Sequence, residues 1–401
     1  MTKHIPPTLI ILCGCIIAML TFGPRSSMGL FQSPITFETA LSLSTFSFAI
    51  AIQNLLWGIG QPFAGAIADR FGTVPVLCSG AILYAAGLAL MAFSNSGTTL
   101  TLSAGVLIGF GLSGCSFNVA LAAFGKLLPQ QWRSLAYGAG TAAGSLGQLI
   151  FPPLSFALIE NYGWHTTLLV FAPLLLLVIP LSFALATKPK IAIQNEPVDN
   201  RSLFRIITDA FKHQSYVLLV LGFFTCGFQL AFITIHLPKY LLDVGLGAEI
   251  GGYTLGLIGL FNIIGSLSSG YLGGVMPKRY LLSGIYFLRS VAIIMLLLLP
   301  HTAFNIYMFG AIMGLLWLST VPPTSSLVAL MFGTKNMAML YGFAFFSHQL
   351  GGFLGVLIGG TLRDQFGSYD ILWWGSVLLG IVSGVLNLPI IEKPATSQVL
   401  A

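Results

Sequence analysis

Positively charged residues lie almost entirely in the short gaps between long apolar runs, and they are concentrated in every second gap. Lys and Arg in short loops stay on the cytoplasmic side of a membrane, so this alternation predicts a topology. If the first apolar run begins in the cytoplasm, only Lys239 and Arg363 among the loop cations lie outside. We therefore predict a multi-pass protein of the inner (cytoplasmic) membrane with both termini in the cytoplasm.

The apolar runs are long enough to cross a bilayer as helices, which takes about 20 residues each. Charged residues make up 7% of the chain and hydrophobic ones 56%, whereas soluble domains carry about a quarter charged residues. The alternation of apolar and polar residues that is typical of membrane β-barrels is missing. We predict an all-α membrane protein with twelve transmembrane helices, starting near Pro7, Leu43, Val74, Thr99, Ser134, His165, Tyr216, Ile250, Tyr280, Ala303, Ala338 and Ile371.

A polar stretch from Thr187 to His213 divides these spans into six and six. It predicts an N-terminal six-helix bundle over 1–187, a cytoplasmic linker over 188–213 and a C-terminal six-helix bundle over 214–401. In parallel repeats of this kind the substrate site lies between the halves near the membrane midplane. Glycines 205 residues apart support the duplication, pairing Gly60 with Gly265, Gly65 with Gly270, Gly105 with Gly310 and Gly109 with Gly314.

The segment GAIADRFG after the second span contains Gly65, Asp69, Arg70 and Gly72. It resembles the cytoplasmic loop motif of the major facilitator superfamily. In that family the acidic and the basic residue hold the two halves together in one of the alternating states. The resemblance therefore implies conformational gating by these four residues and two pseudo-symmetric six-helix bundles.

Further segments resemble bacterial relatives of the monocarboxylate transporters and oxalate/formate antiporters. The resemblance covers almost the whole chain and implies a secondary transporter that rocks its halves around one central site. Members of that branch generally move small organic anions, which implies a monocarboxylate as cargo. Export of a larger amphipathic compound, such as a drug or a siderophore, is the alternative. The segments are FGPRSSMGLF, FITIHLPKYLLDVGL, LFNIIGS and FFSHQLGGFLG, which begin at Phe22, Phe232, Leu260 and Phe345.

Arg25 is the most informative polar residue because it lies inside the first span. A cation there costs roughly 3 kcal/mol on insertion scales, so intramembrane charges usually face an aqueous cavity or a partner. No Asp or Glu lies within a predicted span. We predict that the carboxylate of an anionic substrate is the partner, bound by the planar guanidinium through two donors. The alternatives are snorkelling to the outer interface and bonding to carbonyls freed near Pro24.

Other polar side chains inside the spans complete the predicted substrate-binding set. The mid-span amides bind substrate or pack helices together, and the Trp shapes an apolar wall or packs in a core. The resemblance places span eleven, with the His and the second Gln, against the cavity. The His either binds the anion and carries protons, or bonds helices together as a neutral group. The set comprises Gln229, Asn262, Trp317, His348 and Gln349.

The remaining signals exclude other classes of function. Gly109, Gly111 and Gly114 form a GxGxxG string inside an apolar span, where a dinucleotide-binding turn cannot form. Arg289 lies on span nine, and bonding to helix carbonyls is favoured for it. We expect no catalytic residues, metal or cofactor, and no nucleic acid partner, because the formal charge of +6 is spread thinly over one membrane face. The expected partners of this monomer are the bilayer, the anion and, if His348 titrates, protons.

Overall fold

The computed structural model describes residues 5–187, 203–333 and 337–394, and the described chain is built from helices. Helix starts lie within a few residues of the predicted ones because the long apolar runs must satisfy their backbone hydrogen bonds internally in lipid. The spans are Pro7–Thr39, Leu43–Phe71, Thr73–Met91, Gly97–Leu127, 130–162, 164–185, Gln214–Asp243, Ala248–Val275, Lys278–Leu298, Ala303–Phe332, Met337–Phe366 and Asp370–Asn387.

Spans five and six follow each other without a loop. The segment Gln130–Leu185 contains 56 residues, which as one straight helix would be about 84 Å long, far more than a bilayer core of roughly 30 Å. It divides at Gly163, whose φ of 78° and ψ of 163° are not helical. Glycine adopts this backbone conformation at little cost. The prediction of twelve transmembrane helices is confirmed.

Three spans are interrupted near their middle. Span one breaks at Ser27, between helices Pro7–Ser26 and Met28–Thr39. Span ten is interrupted between Ala303–Leu316 and Val321–Phe332. Span four contains a π-helical stretch and a further break, and its parts are Gly97–Leu100, Thr101–Leu107, Ile108–Cys115 and Phe117–Leu127. Each break leaves backbone N–H and C=O groups without their helical partners. Within a membrane, other residues must form hydrogen bonds to these groups.

The two halves repeat their internal contacts at a constant offset. In the first half, Gly109 of span four packs against the backbone of Gln53 in span two. In the second half, Gly314 of span ten packs against the backbone of Ile258 in span eight. Each residue lies 205 positions from its counterpart, and close helix contact at both sites leaves room only for glycine. The same offset relates the contact of Gly60 with Phe110 to that of Gly265 with Leu315.

The halves touch on one side of the membrane. We call the end of the bundle where the first span begins the terminal side, and the opposite end the far side. From the middle toward the far side, spans two and eleven are in close contact, because Gly360 lies against Ser47 and Gly352 against Asn54. Spans five and eight are equally close where Gly256 lies against the Leu149 carbonyl oxygen.

Toward the terminal side the halves separate. A methyl group added at Gly65, Gly138, Gly270 or Gly342 would meet no atom within 4 Å. These glycines lie on spans two, five, eight and eleven, the same four spans that touch nearer the far side. The interface is therefore a wedge that is closed on the far side and open on the terminal side.

Part of the predicted linker is helical. Residues Leu203–Lys212 form an amphipathic helix, whereas 188–202 lie outside the described residues. Ile206 and Ala210 are buried. The Phe211 ring meets the ring of Phe343 on span eleven at 5.8 Å. The linker helix is thus docked against the second half.

Candidate functional site

Arg25 lies at the break of span one, beside Pro24 inside the helix. Its Nη2 donates a hydrogen bond of 2.7 Å to Asn54 Oδ1. Its Cζ lies 4.6 Å from the centre of the Trp57 ring, close enough for a cation–π contact. Its Nε is buried without a hydrogen-bond acceptor among the described residues. Span two thus orients the guanidinium but supplies no anion.

The face of span two that holds Arg25 is neutral and polar. Asn54, Trp57 and Gln61 follow each other at intervals of three and four residues, which places them on one helix face. Asn54 Nδ2 donates to the Ile50 carbonyl oxygen at 2.9 Å, so its Oδ1 stays available to Arg25. Trp57 Nε1 donates to Gln61 Oε1 at 3.1 Å. These bonds fix the orientation of both Arg25 neighbours.

Arg25 also faces the second half. A small pocket beside it is lined by Ile50, Asn54 and, from span seven, Ala231, Thr234 and Ile235. Arg25 is half-buried rather than fully enclosed. The predicted snorkelling to the outer interface therefore does not describe this side chain, which lies where the two halves meet.

Span eleven supplies the opposite wall of the site. The ring of Phe345 meets the Trp57 ring edge to face, with centroids 5.5 Å apart. Gln349 lies against Gly58, and its Nε2 is buried without an acceptor among the described residues. His348 Nδ1 lies 3.1 Å from Gln349 Oε1. The predicted residues Arg25, His348 and Gln349 therefore meet at one interface.

This arrangement is suited to binding an anion. Two buried donors, Arg25 Nε and Gln349 Nε2, lack acceptors within the described chain and come from opposite halves. Each Asp and Glu of the described spans lies at or near a helix end, as Glu38, Asp69 and Asp364 do. Arg25 Nε is therefore suited to a carboxylate from outside the described chain, and Gln349 Nε2 is a further unpaired donor on the opposite half.

Gln229 and Trp317 lie elsewhere, inside the second half. Gln229 Nε2 donates to the Ser376 carbonyl oxygen at 3.1 Å, and its Oε1 accepts a bond from Arg289. Trp317 is 2% exposed and belongs to the interrupted turn of span ten. Arg289 binds the Leu316 and Trp317 carbonyl oxygens, the structural role that its position favoured. This geometry supports helix packing for Gln229 and Trp317 and lends no support to substrate contact.

Asn262 crosses the interface at a different place. Its Nδ2 donates to Ser145 Oγ on span five at 2.9 Å. Its Oδ1 accepts a bond of 3.0 Å from the Leu318 backbone N–H in the turn of span ten. The side chain is fully buried with both ends bonded. Asn262 therefore joins the halves and caps a broken helix, away from the Arg25 wall.

The predicted gating loop makes its described contacts within the first half. Asp69 forms an ion pair with Lys126 at the end of span four. Arg70 lies over the ring of its neighbour Phe71. Gly72 has a φ of 91°, which explains the need for glycine at this turn. Since the halves are apart on this side, gating by Gly65, Asp69, Arg70 and Gly72 stays a prediction about the opposite state.

The sequence reasoning did not select two neighbours of Arg25, Asn54 and Trp57. Asn54 was one of several intramembrane amides that could complete a polar site, whereas Trp57 and its contact Phe345 were among many aromatic residues. Helical spacing carries the missing signal: Trp57 lies three residues after Asn54, and Phe345 lies three before His348. A polar or aromatic residue on the same helix face as a predicted site residue is therefore a candidate for the same site.

The chain is similar to known transporters in both sequence and fold. The family model of the Major Facilitator Superfamily matches residues 11–356. The uncharacterized MFS-type transporter YcxA of Bacillus subtilis (strain 168) is 27% identical over 381 residues, 93% of each chain. Monocarboxylate transporter 13 of Rattus norvegicus is 25% identical over 95% of this chain and 88% of its own. A bacterial homolog of the human lysosomal transporter Spinster, in an inward-facing and unoccupied conformation, has a TM-score of 0.79 over 97% of both chains at 14% identity.

Proposed function

The chain belongs to the Major Facilitator Superfamily, and from this premise we propose that it carries a small organic anion, a monocarboxylate, across the membrane. One observation carries the proposal: Arg25 is a cation at the inter-half interface, and no carboxylate of the described residues pairs with it. The similarity to monocarboxylate transporter 13 supports the same class of cargo. The conclusion that the protein is a transporter depends on its family, and the proposal about its cargo depends on Arg25.

The substrate carboxylate would accept hydrogen bonds from Arg25 Nε and a neighbouring Nη. Asn54 keeps its own bond to the guanidinium, so the fork is oriented before the substrate arrives. Gln349 Nε2 offers a further donor from the second half. A bound carboxylate would therefore contact both halves and favour their approach on the terminal side.

The wedge, closed on one side and open on the other, corresponds to one of the two states of an alternating-access transporter. The wedge opens toward the terminal side, and the distribution of Lys and Arg predicts that this side faces the cytoplasm. On the far side, Asp364 Oδ2 accepts a bond of 2.7 Å from the Ser44 backbone N–H and so joins spans eleven and two. Rocking to the opposite state would break this bond and close the terminal side.

A thermal-shift measurement on the purified chain tests the cargo. Acetate, lactate and benzoate are compared with amphipathic drugs, since a ligand that binds the native state raises its melting temperature. Monocarboxylates should stabilise the parent protein. Arg25→Gln should lose roughly 1.5–3 kcal/mol of this binding, the range for a hydrogen bond to a charged group, and Arg25→Lys should retain part of it.

Arg133→Gln is the matched control, because Arg133 lies at the terminal end of span five and donates to the Leu128 carbonyl oxygen at 2.9 Å. It removes the same charge outside the site and should keep the stabilisation. Stabilisation by drugs but not by carboxylates would favour export of an amphipathic compound. Equal binding of carboxylates by the parent and Arg25→Gln would contradict the assigned role of Arg25.

A further inference from the structure

A row of aromatic rings leads from Arg25 across the interface. Trp57 contacts Phe345 at 5.5 Å with an angle of 76° between the rings. Phe345 lies almost parallel to His348, at 5.9 Å and 6°. His348 in turn lies 5.0 Å from Phe223 on span seven. We call Trp57, Phe345, His348 and Phe223 the aromatic row, and it connects spans two, eleven and seven.

The middle of the row is accessible from the open side of the wedge. Phe345 and His348 are half-buried. Gly342, three residues before Phe345 on the same helix, faces open space. By contrast, Trp373 in the second-half core is fully buried. Phe345 and His348 therefore present surface to a molecule that approaches from the terminal side, whereas Trp57 and Phe223, at the two ends of the row, are buried.

We propose that the cargo is an aromatic monocarboxylate, a flat ring that carries one carboxylate; this deepens the proposed function and rests on it. The carboxylate would bind Arg25, and the ring would pack against the half-buried Phe345, which itself meets Trp57, in the offset or edge-to-face geometry that aromatic pairs prefer. The contact of Arg25 with the Trp57 face places the cation and the ring surface side by side.

The charges of the interface favour one carboxylate over two. Arg289, the other arginine that lies away from the ends of the described spans, is fully buried and bonds to carbonyl oxygens of span ten. His348, bonded to Gln349, is the one further titratable side chain in the aromatic row. A second carboxylate would thus lie against aromatic rings without a fixed cation, whereas a short aliphatic acid would leave the rings uncovered.

Binding of acetate, cyclohexylacetate and phenylacetate to the purified full-length protein tests this inference. Phenylacetate should bind about threefold to tenfold more tightly than cyclohexylacetate, the range that an aromatic pair contributes beyond area burial. Acetate should bind at least about thirtyfold more weakly than phenylacetate because it buries no ring. Phe345→Leu should bring the ratio of phenylacetate to cyclohexylacetate affinity close to one.

Phe343→Leu is the matched control, since Phe343 lies on the same span but its ring meets Phe211 of the linker helix. It should preserve all three affinities. If the three acids bind the parent equally and Arg25→Gln removes all binding, the aromatic preference is wrong and the proposed function stands. If no acid binds the parent, both are wrong. The relative affinities of the three acids for the parent protein test the aromatic preference even if Phe345→Leu does not fold.

Discussion

Arg25 and Arg289 are the two arginines that lie away from the ends of the described spans, and their hydrogen-bond partners separate their roles. Arg289 bonds through Nε and Nη2 to the Leu316 carbonyl oxygen and is fully buried. Arg25 is half-buried, bonds to one amide oxygen and has a free Nε. A side chain whose donors are occupied by the protein stabilises the fold, whereas one with free donors is prepared for a ligand.

The first residue-scale prediction compares how much each arginine contributes to the free energy of unfolding. Arg289→Gln should destabilise the protein by roughly 2–4 kcal/mol because buried carbonyl oxygens lose their donors. Arg25→Gln should leave the unliganded melting temperature unchanged or raise it, since it removes a half-buried cation whose donors are incompletely bonded. Thermal unfolding in detergent without carboxylates measures both. A larger loss in Arg25→Gln than in Arg289→Gln would reverse the two assignments.

The second residue-scale prediction concerns coupling to protons. If His348 carries the proton, an imposed pH gradient should accelerate anion uptake into vesicles that contain the parent. His348→Gln should abolish this acceleration and keep counterflow exchange, which needs no net proton movement. His301→Gln is the control, because His301 lies outside the spans and bonds to Tyr240 at 2.9 Å. A variant that keeps the acceleration would make His348 a structural residue.

At the scale of elements, the broken helices are stabilised by side chains of neighbouring spans. Asn262 binds the Leu318 N–H, and Ser269 donates to the Ser319 carbonyl oxygen, while Arg289 covers the carbonyls before them. Span ten thus keeps its interruption because three polar residues bond to the freed backbone. Asn262 adds a bond to Ser145 of the other half and so links the turn to the interface.

The closed far side yields an element-scale prediction. Asp364 places a carboxylate at the N-terminus of span two, where exposed N–H groups and the helix dipole favour negative charge. Asp364→Asn should weaken this closure by roughly 1 kcal/mol, which increases the far-side-open population several-fold. A cysteine at Ser47, buried against Gly360, should then react faster with a thiol reagent.

The background for that measurement lacks the native cysteines, all of which lie in helices of the described chain. Asp370→Asn serves as the control because it removes the same charge nearby, at the start of span twelve. It should leave the labelling rate of the Ser47 cysteine unchanged. If Asp364→Asn also leaves that rate unchanged, the bond to span two does not help to hold the far side closed.

At the scale of the whole molecule, the twelve spans and the Lys and Arg distribution predict that exposed Lys212 and half-buried Ser368 lie on opposite sides of the membrane. Lys212 ends the linker helix, and Ser368 follows span eleven. In a cysteine-free background, a cysteine at 368 should react with an impermeant reagent in intact cells. A cysteine at 212 should react only after the membrane is opened. Reaction of both in intact cells would contradict the cytoplasmic assignment of the termini and linker.

Helix number, helix bounds and the repeat were predictable because each depends on one-dimensional properties. A span must be apolar over its whole length wherever it lies in the bundle. The matched glycines at 109 and 314 mark the same helix crossing in both halves, so their spacing survives in the sequence. The direct passage from span five to span six at Gly163 and the breaks inside spans one, four and ten depart from a plain series of helices and loops.

The site was predictable in part. An intramembrane arginine is costly wherever its helix points, so the sequence alone singles out Arg25 and Arg289. Whether each one faces the interface depends on rotation about the helix axis, about 100° per residue, and on which spans become neighbours. Packing therefore decided that Gln229 bonds to Ser376 and Arg289, and that Asn54 and Trp57 hold Arg25. Depth in the membrane is a property of position along the chain, whereas a partner across helices exists only in the folded bundle.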